Sequence, residues 1–183
     1  MVTDLLQSKL DIHHLDNRVN LGRWFKQCFY MPWLGSRRFD TAARAAIEQA
    51  VKAAELGHAG EIRVVIESHL PLKTALRQDS TGRARDLFSS LGVWDTALNS
   101  GVLLYINMCE RRVEIVADRG INAKVDPSRW QSICAAIIAK LSEDRHQHGV
   151  VVGVEMIGQA LREYYAVLES DAGNELSDAA LFL

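Results

Sequence analysis

The sequence offers few catalytic signatures. It contains no GxSxG, P-loop, HExxH or zinc-ligand spacing, so the best-marked hydrolase, nucleotide-binding and metalloprotease classes have no support. A charge excess is also missing. The 183 residues hold 21 basic and 23 acidic side chains, a net of −2, which gives no general reason to bind a polyanion and excludes nucleic acid as the expected partner. Cysteine is sparse: Cys28, Cys109 and Cys134 lie in separate segments without a CxxC pair. An odd, scattered set predicts free thiols and a reducing compartment rather than a disulfide framework. Long apolar runs are absent too. The longest, Gly101–Cys109 and Ile133–Ala139, fall well short of the roughly 18–20 residues of a membrane helix. The opening residues lack the basic-then-apolar pattern of a signal peptide. The expected location is therefore the cytoplasm, with no transmembrane segment.

Apolar residues make up 48% of the chain, enough to bury a core and to argue against a mainly disordered chain. The charge is unevenly spread. Residues 1–38 carry six basic and three acidic groups, a net of +3, and the remainder carries 15 and 20, a net of −5. Residues 1–37 read as a basic, aromatic-rich arm through Arg23-Trp24-Phe25-Lys26 and Phe29-Tyr30-Met31-Pro32-Trp33-Leu34. Two readings stand for it. It is an amphipathic helix docked through Leu21, Trp24, Phe25 and Phe29, or a contact for a membrane surface or nucleic acid.

Residues 38–168 form one domain, since no linker, repeat or low-complexity block divides them. A helix is expected from Asp40, an N-cap, to Leu56, with Gly57 as the stop and Ala43, Ala46, Ile47, Ala50, Val51 and Ala54 on its inner face. Glu61–Ser68 is a β-branched strand, apolar on both faces. A second helix spans about Lys73 to Leu91, with a possible break at Ser80-Thr81-Gly82. Gly101–Cys109 and Arg112–Asp118 make a hairpin about Glu110-Arg111. Asp126-Pro127 opens a third helix, whose Trp130, Ile133, Ile137 and Leu141 form an amphipathic stripe. A final helix carries Val151 to Leu168, and an acidic, flexible tail covers 169–183. This order predicts an α/β, three-layer sandwich. Its small mixed sheet combines a parallel crossover with the hairpin and is flanked by helices.

Three blocks of sequence resemble the TPM domain family: Leu87-Phe88-Ser89-Ser90-Leu91-Gly92-Val93-Trp94-Asp95-Thr96, then Asn99-Ser100-Gly101-Val102-Leu103-Leu104-Tyr105, then Arg112-Val113-Glu114-Ile115-Val116-Ala117-Asp118-Arg119-Gly120-Ile121. The family includes a thylakoid-lumen acid phosphatase linked to photosystem II repair and many bacterial members. The resemblance spans about residues 38–168 and is similar to a soluble branch rather than the exported one. Exported members tend to show Gly-x-Gly at Asp118-Arg119-Gly120, and Asn-Asn-Gly or Asp-Asn-Gly at Asn99-Ser100-Gly101. The resemblance implies a divalent-metal-binding interaction or accessory module for a membrane-associated assembly. Its alternative implication is a metal-assisted phosphatase acting on a phosphomonoester.

An antiparallel hairpin puts the start of its first strand and the end of its second at one sheet edge. That edge should gather Asp95 and Asn99 with Asp118, Arg119 and Asn122. Asp95, Asn99 and Asp118 are hard oxygen ligands suited to Ca²⁺ or Mg²⁺. Asp95, Asp118 and Arg119 are the catalytic candidates, with Arg119 placed to hold a phosphate. Ordinary turn chemistry explains each residue singly: Asp95 as a cap, Asn99-Ser100-Gly101 as a turn, and Gly120 as a left-handed glycine beside an Asp118–Arg119 ion pair. Glu67, Ser68, His69 and Asn107 mark a competing site beyond the opposite strand ends. His13-His14 and His146-x-His148 could bind transition metals or stand solvated. Glu114 must be paired or protonated if a helix covers it.

Overall fold

The computed structural model describes Gly22, Trp24, Gln27, residues 38–166 and residues 175–183. Most of the basic arm, including Leu21, Phe25, Phe29, His13 and His14, lies outside the described residues, as does Cys28. Gln27 is buried against the domain. Its amide donates to Glu110 Oε1 at 3.1 Å and accepts from Leu70 N at 2.9 Å.

Helix α1 (Thr41–Glu55) starts where Asp40 Oδ1 accepts from Ala43 N at 2.8 Å and stops before Gly57, whose φ of 81° only glycine adopts easily. Ala43, Ile47, Val51 and Ala54 are its buried face, as the spacing predicts. Strand β1 (Glu61–Glu67) follows. The region expected as one long helix divides into a single turn, α2 (Leu72–Ala75), and α3 (Ser80–Ser90). The break falls where Asp79 begins a new helix by accepting from Gly82 N at 2.9 Å. A side-chain cap there competes with continuation of the helix.

Strands β2 (Gly101–Asn107) and β3 (Arg112–Ala117) form the hairpin. A short helix absent from the sequence expectation, α4 (Arg119–Asn122), is capped by Asp118. Helix α5 (Pro127–Ser142) has the expected Asp126 cap and N-terminal proline. Helix α6 (His146–Tyr165) begins earlier than its apolar pattern suggests, because its first turn is polar on most sides.

The sheet order is β3-β2-β1-β4. β1 and β2 are parallel over their full length, Glu61 opposite Gly101 and Glu67 opposite Asn107. β2 and β3 are antiparallel, from Val102 opposite Ala117 to Asn107 opposite Arg112. One face carries Ile62, Val64, Ile66, Val102, Leu104 and Ile106 into a core shared with α1, α5 and α6. The other carries Val65, Leu103 and Tyr105 against Ala84 and Leu87 of α3. Three layers result. Parallel central strands need cover on both faces, and this is why they read as continuous apolar runs.

The expectation of a loose acidic tail is corrected over residues 175–183. Leu181–Phe182 forms β4 and pairs with Val65 and Ile66 in parallel. Ser68 N donates to Leu183 O at 2.9 Å, and Leu183 N donates to Ile66 O at 3.0 Å. Unmet backbone groups on the edge of β1 supply the reason: the tail satisfies them. No helix among the described residues is long and apolar enough to cross a membrane. Cys134 is a free, half-buried thiol.

Candidate functional site

At the edge where β2 begins and β3 ends, the chain makes two close approaches through glycine. A Cβ at Gly101 would lie 1.9 Å from the Val93 carbonyl oxygen, so the loop after α3 packs on bare backbone. A Cβ at Gly120 would meet Asn99 O at 2.5 Å, the Tyr165 hydroxyl at 2.8 Å and Leu98 O at 2.9 Å. Gly120 is therefore required by crowding. The expectation that it is left-handed is corrected, since the positive-φ residues nearby are Asn99, at 52°, and Gly92, at 67°.

Asp118, Arg119 and Asn99 meet at this edge. Asp118 Oδ1 accepts from Arg119 N at 2.6 Å and opens α4. Arg119 donates from Nε to Asn99 Oδ1 at 3.1 Å. Asn99 O accepts from Ile121 N, and Asp118 N donates to Gly101 O. Asp118 is only 8% exposed, and its Oδ2 is buried with no hydrogen-bond partner among the described residues. A buried carboxylate oxygen left bare is costly unless a cation or donor answers it.

Tyr165 brings its hydroxyl to the same place from the end of α6, and Lys124 lies 4.0 Å over its ring. Burial and the negative charge of Asp118 both hold the phenol above its ordinary pKa, so it stays neutral. In the sequence Tyr165 is one residue of the last helix's apolar pattern. Nothing local marks it, because its contact is with residues more than forty positions earlier.

Asp95 stands apart. It is exposed, its backbone N–H donates to Gly92 O, and no hydrogen bond among the described residues ties its carboxylate to Asn99 or Asp118. Asn122 is exposed in the last residue of α4. Among the described residues no three His, Cys, Asp or Glu side chains group as metal ligands. The edge fits a hard cation by the chemistry of its donors instead. Asp118 Oδ2 offers a carboxylate oxygen, and the carbonyls of Leu98 and Asn99 and the Tyr165 hydroxyl crowd the nearby Gly120, all of them the oxygen type that Ca²⁺ and Mg²⁺ prefer.

At the opposite edge, Glu67 and Asn107 do come together, but in a closed network. Arg83 grips Glu67 through Nη2 at 2.8 Å and Nε at 3.2 Å, and the Tyr105 hydroxyl donates to Glu67 Oε2 at 2.6 Å. Asn107 Nδ2 donates to that hydroxyl, and Asn107 Oδ1 accepts from Glu110 N. Burial, followed by the Glu67 charge, raises the Tyr105 pKa strongly. Ser68 uses its backbone to pair with Leu183 and Cys109. His69 keeps a buried Nδ1 without a partner. Glu114 is indeed paired, accepting from Thr81 Oγ1 at 3.1 Å under α3, and burial raises its pKa.

The BA42 protein of the psychrophilic bacterium Bizionia argentinensis, solved by NMR, is 30% identical with a TM-score of 0.70, covering 79% of this chain and 95% of that one. An N-terminal domain from P. gingivalis is 21% identical with a TM-score of 0.56, over 72% of this chain and 82% of its own. A Corynebacterium glutamicum N-terminal domain shares the fold at 13% identity and a TM-score of 0.52, over 72% and 81%. No curated protein matches the sequence. The model of the TPM domain matches residues 36–160, which span β1 to β3, the Asp118 and Glu67 ends of these strands and most of α6. The chain belongs to the TPM domain family.

Proposed function

We propose that the domain is a divalent-cation-binding accessory module, taking Ca²⁺ or Mg²⁺ at the Asp118 edge and presenting that edge to a membrane-associated assembly. The observation that carries this reading is the buried Oδ2 of Asp118, which has no hydrogen-bond partner among the described residues and lies two positions from Gly120, where the oxygens of Leu98, Asn99 and Tyr165 crowd the backbone. A bound cation would neutralise a carboxylate that the fold otherwise leaves unanswered. With one carboxylate in the set, the affinity belongs to the weak range, on the order of 10⁻⁴–10⁻³ M. The same loop exposes Trp94 and Leu98, about half accessible each. Such side chains suit a partner or the headgroup layer of a bilayer. The free Cys134 supports a reducing, cytoplasmic setting.

Calcium titration followed by amide chemical shifts tests the reading. The wild type should show saturable shifts at residues 98–100 and 118–120, and Asp118→Asn should lose them while keeping the fold. Saturable binding that survives Asp118→Asn, or none in the wild type with either cation, overturns it. Asp95→Asn asks whether that exposed carboxylate closes over a bound ion.

A phosphatase is the second reading, and Arg119 favours it. Its guanidinium is exposed beside the carboxylate, where it could hold a phosphate. Hydrolysis of an aryl phosphate that depends on metal and falls in Asp118→Asn would establish it. No hydrolysis with Ca²⁺, Mg²⁺ or Mn²⁺ would leave the module.

A further inference from the structure

We propose that the cleft between the β2–β3 turn and the start of α6 is a second binding site, for a small phosphate-type oxyanion. The cavity holds about 180 Å³ and is walled by Arg38, Met108, Arg111, Leu141 and His146. A neighbouring open hollow shares Arg38 and His146 and adds Arg145 and His148. The enclosed part matches roughly six waters at about 30 Å³ each. That suits a phosphate group and its solvent better than a drug-sized ligand of roughly 300–1,000 Å³.

Four observations make the cleft a place for an anion. First, Arg38 and Arg111 are both exposed, and neither makes a hydrogen bond or an ion pair with a carboxylate among the described residues. Guanidinium groups facing one cavity without an anion repel each other and match an oxyanion's geometry. Second, α6 starts here without a side-chain cap. Its residue Arg145 offers no cap bond, and the first intrahelical N–H to bond is that of Gly149, to Arg145 O. The free N–H groups of His146, Gln147 and His148 give the positive end of a twenty-residue helix.

Third, His146 is buried, at 8% exposure, and all its hydrogen bonds among the described residues run through Nδ1. That atom lies 3.1 Å from Asp144 O and 3.4 Å from Asp144 Oδ1. Because Nδ1 donates to that carbonyl, Nε2 is the nitrogen that would take up a proton when an anion binds beside the ring. Burial, then the Arg38 charge, lowers the His146 pKa, and an anion that offsets the Arg38 charge should raise it. Fourth, the opposing charge is small. Asp144 is the one carboxylate among the lining residues and is exposed, while Glu143 lies 3.4 Å from Arg145 outside the lining.

The cleft is not part of the cation edge. It lies beyond Asn107, and the cation edge lies before Gly101. The seven residues of β2 separate them by roughly 20 Å. Its chemistry also differs from the transition-metal reading of His146-x-His148, since one ring is buried and the other exposed.

The test is titration of the full chain with inorganic phosphate and, separately, phenyl phosphate at constant ionic strength set by chloride. The readouts are the amides of residues 146–149 and the His146 imidazole. Either probe should give saturable shifts and raise the His146 pKa, and the tighter one tells whether a free or an esterified phosphate is preferred. Arg38→Gln and Arg111→Asn should each weaken binding about tenfold, the loss of one charge-assisted contact. Asparagine suits position 111 because the backbone there is left-handed, φ 53°. Asp118→Asn should bind phosphate like the wild type. Shifts that stay linear and equal to those from chloride, or binding unchanged in both arginine variants, overturn the proposal.

Discussion

Glu67 has almost no contact with water, at 1% exposure, yet three donor groups of two side chains converge on it. Removing one partner of such a pair leaves a charge with no solvent to receive it, which typically costs about 3–5 kcal/mol. Arg83→Met should therefore destabilise the domain by that order in urea unfolding, and Glu67→Gln combined with Arg83→Met should recover a clear part of the loss. An equal loss in single and double variants would show that Arg83 acts through its packing instead. The sequence displayed Glu67-Ser68-His69 as three adjacent polar residues with a superficial look of acid–base chemistry. It could not show that Glu67 turns into the α3 face toward Arg83 while Ser68 serves the C-terminal strand, because alternation fixes opposite faces without saying what covers them. Asp118 was legible as a candidate. Its bare Oδ2 was not, since its burial exists only once the chain has packed around this edge.

The elements with strong local signals formed where their residues indicate. Asp40, Asp79 and Asp126 each accept a backbone N–H at 2.8–2.9 Å and start a helix, so capping chemistry set these boundaries better than apolar spacing did. The C-terminal strand is the opposite case. Leu181–Phe182 is too short for any periodicity, and it is held by β1 at a separation of more than a hundred residues. Phe182 packs on Phe39 with ring centroids 5.6 Å apart, and the Arg44 guanidinium lies 3.9 Å over its ring. Deleting residues 181–183 should remove at least two backbone hydrogen bonds and this aromatic contact, about 2–4 kcal/mol together. The check is urea unfolding combined with hydrogen exchange, in which Ser68 N–H should lose protection. Unchanged stability and protection would mean that the edge of β1 does not need its cover.

Across the whole molecule, buried titratable groups oppose one another in their response to pH. Burial pushes the Glu55 pKa up to about 8, aided by the neighbouring Glu61 and Asp178, against one favourable bond from Ile62 N. Burial raises Glu61 as well. A carboxyl raised in the folded state holds its proton longer than the unfolded chain does. Its contribution is intact below about pH 4.5 and is lost as pH climbs through the folded value near 8. His58 runs the other way. Its Nε2 donates to Ala54 O at 2.6 Å, its Nδ1 accepts from Gly60 N, and burial lowers its pKa. A neutral buried imidazole destabilises the fold as pH drops below the ordinary value of about 6.5. Thermal unfolding across pH should therefore peak in mildly acidic solution and decline toward pH 8. Glu55→Gln should flatten the alkaline decline while leaving the acid limb, and a decline of equal slope in that variant would remove Glu55 as its cause.

Sequence alone determined the layered α/β class, the parallel pair with its hairpin, the cap residues and the family. Those features rest on short-range chemistry: alternation, β-branching and side-chain caps act within a few residues. The −2 balance of charge belongs with them, because it is a sum and needs no coordinates. Tertiary structure alone decided which polar groups meet. It left Asp95 in solvent while bringing Tyr165 to Asp118, seated Gln27 between Leu70 and Glu110, closed the Glu67–Arg83 pair and gathered Arg38, Arg111 and His146 around one cleft. Such contacts join residues tens of positions apart, and the burial that gives each its energy exists only once the layers have packed.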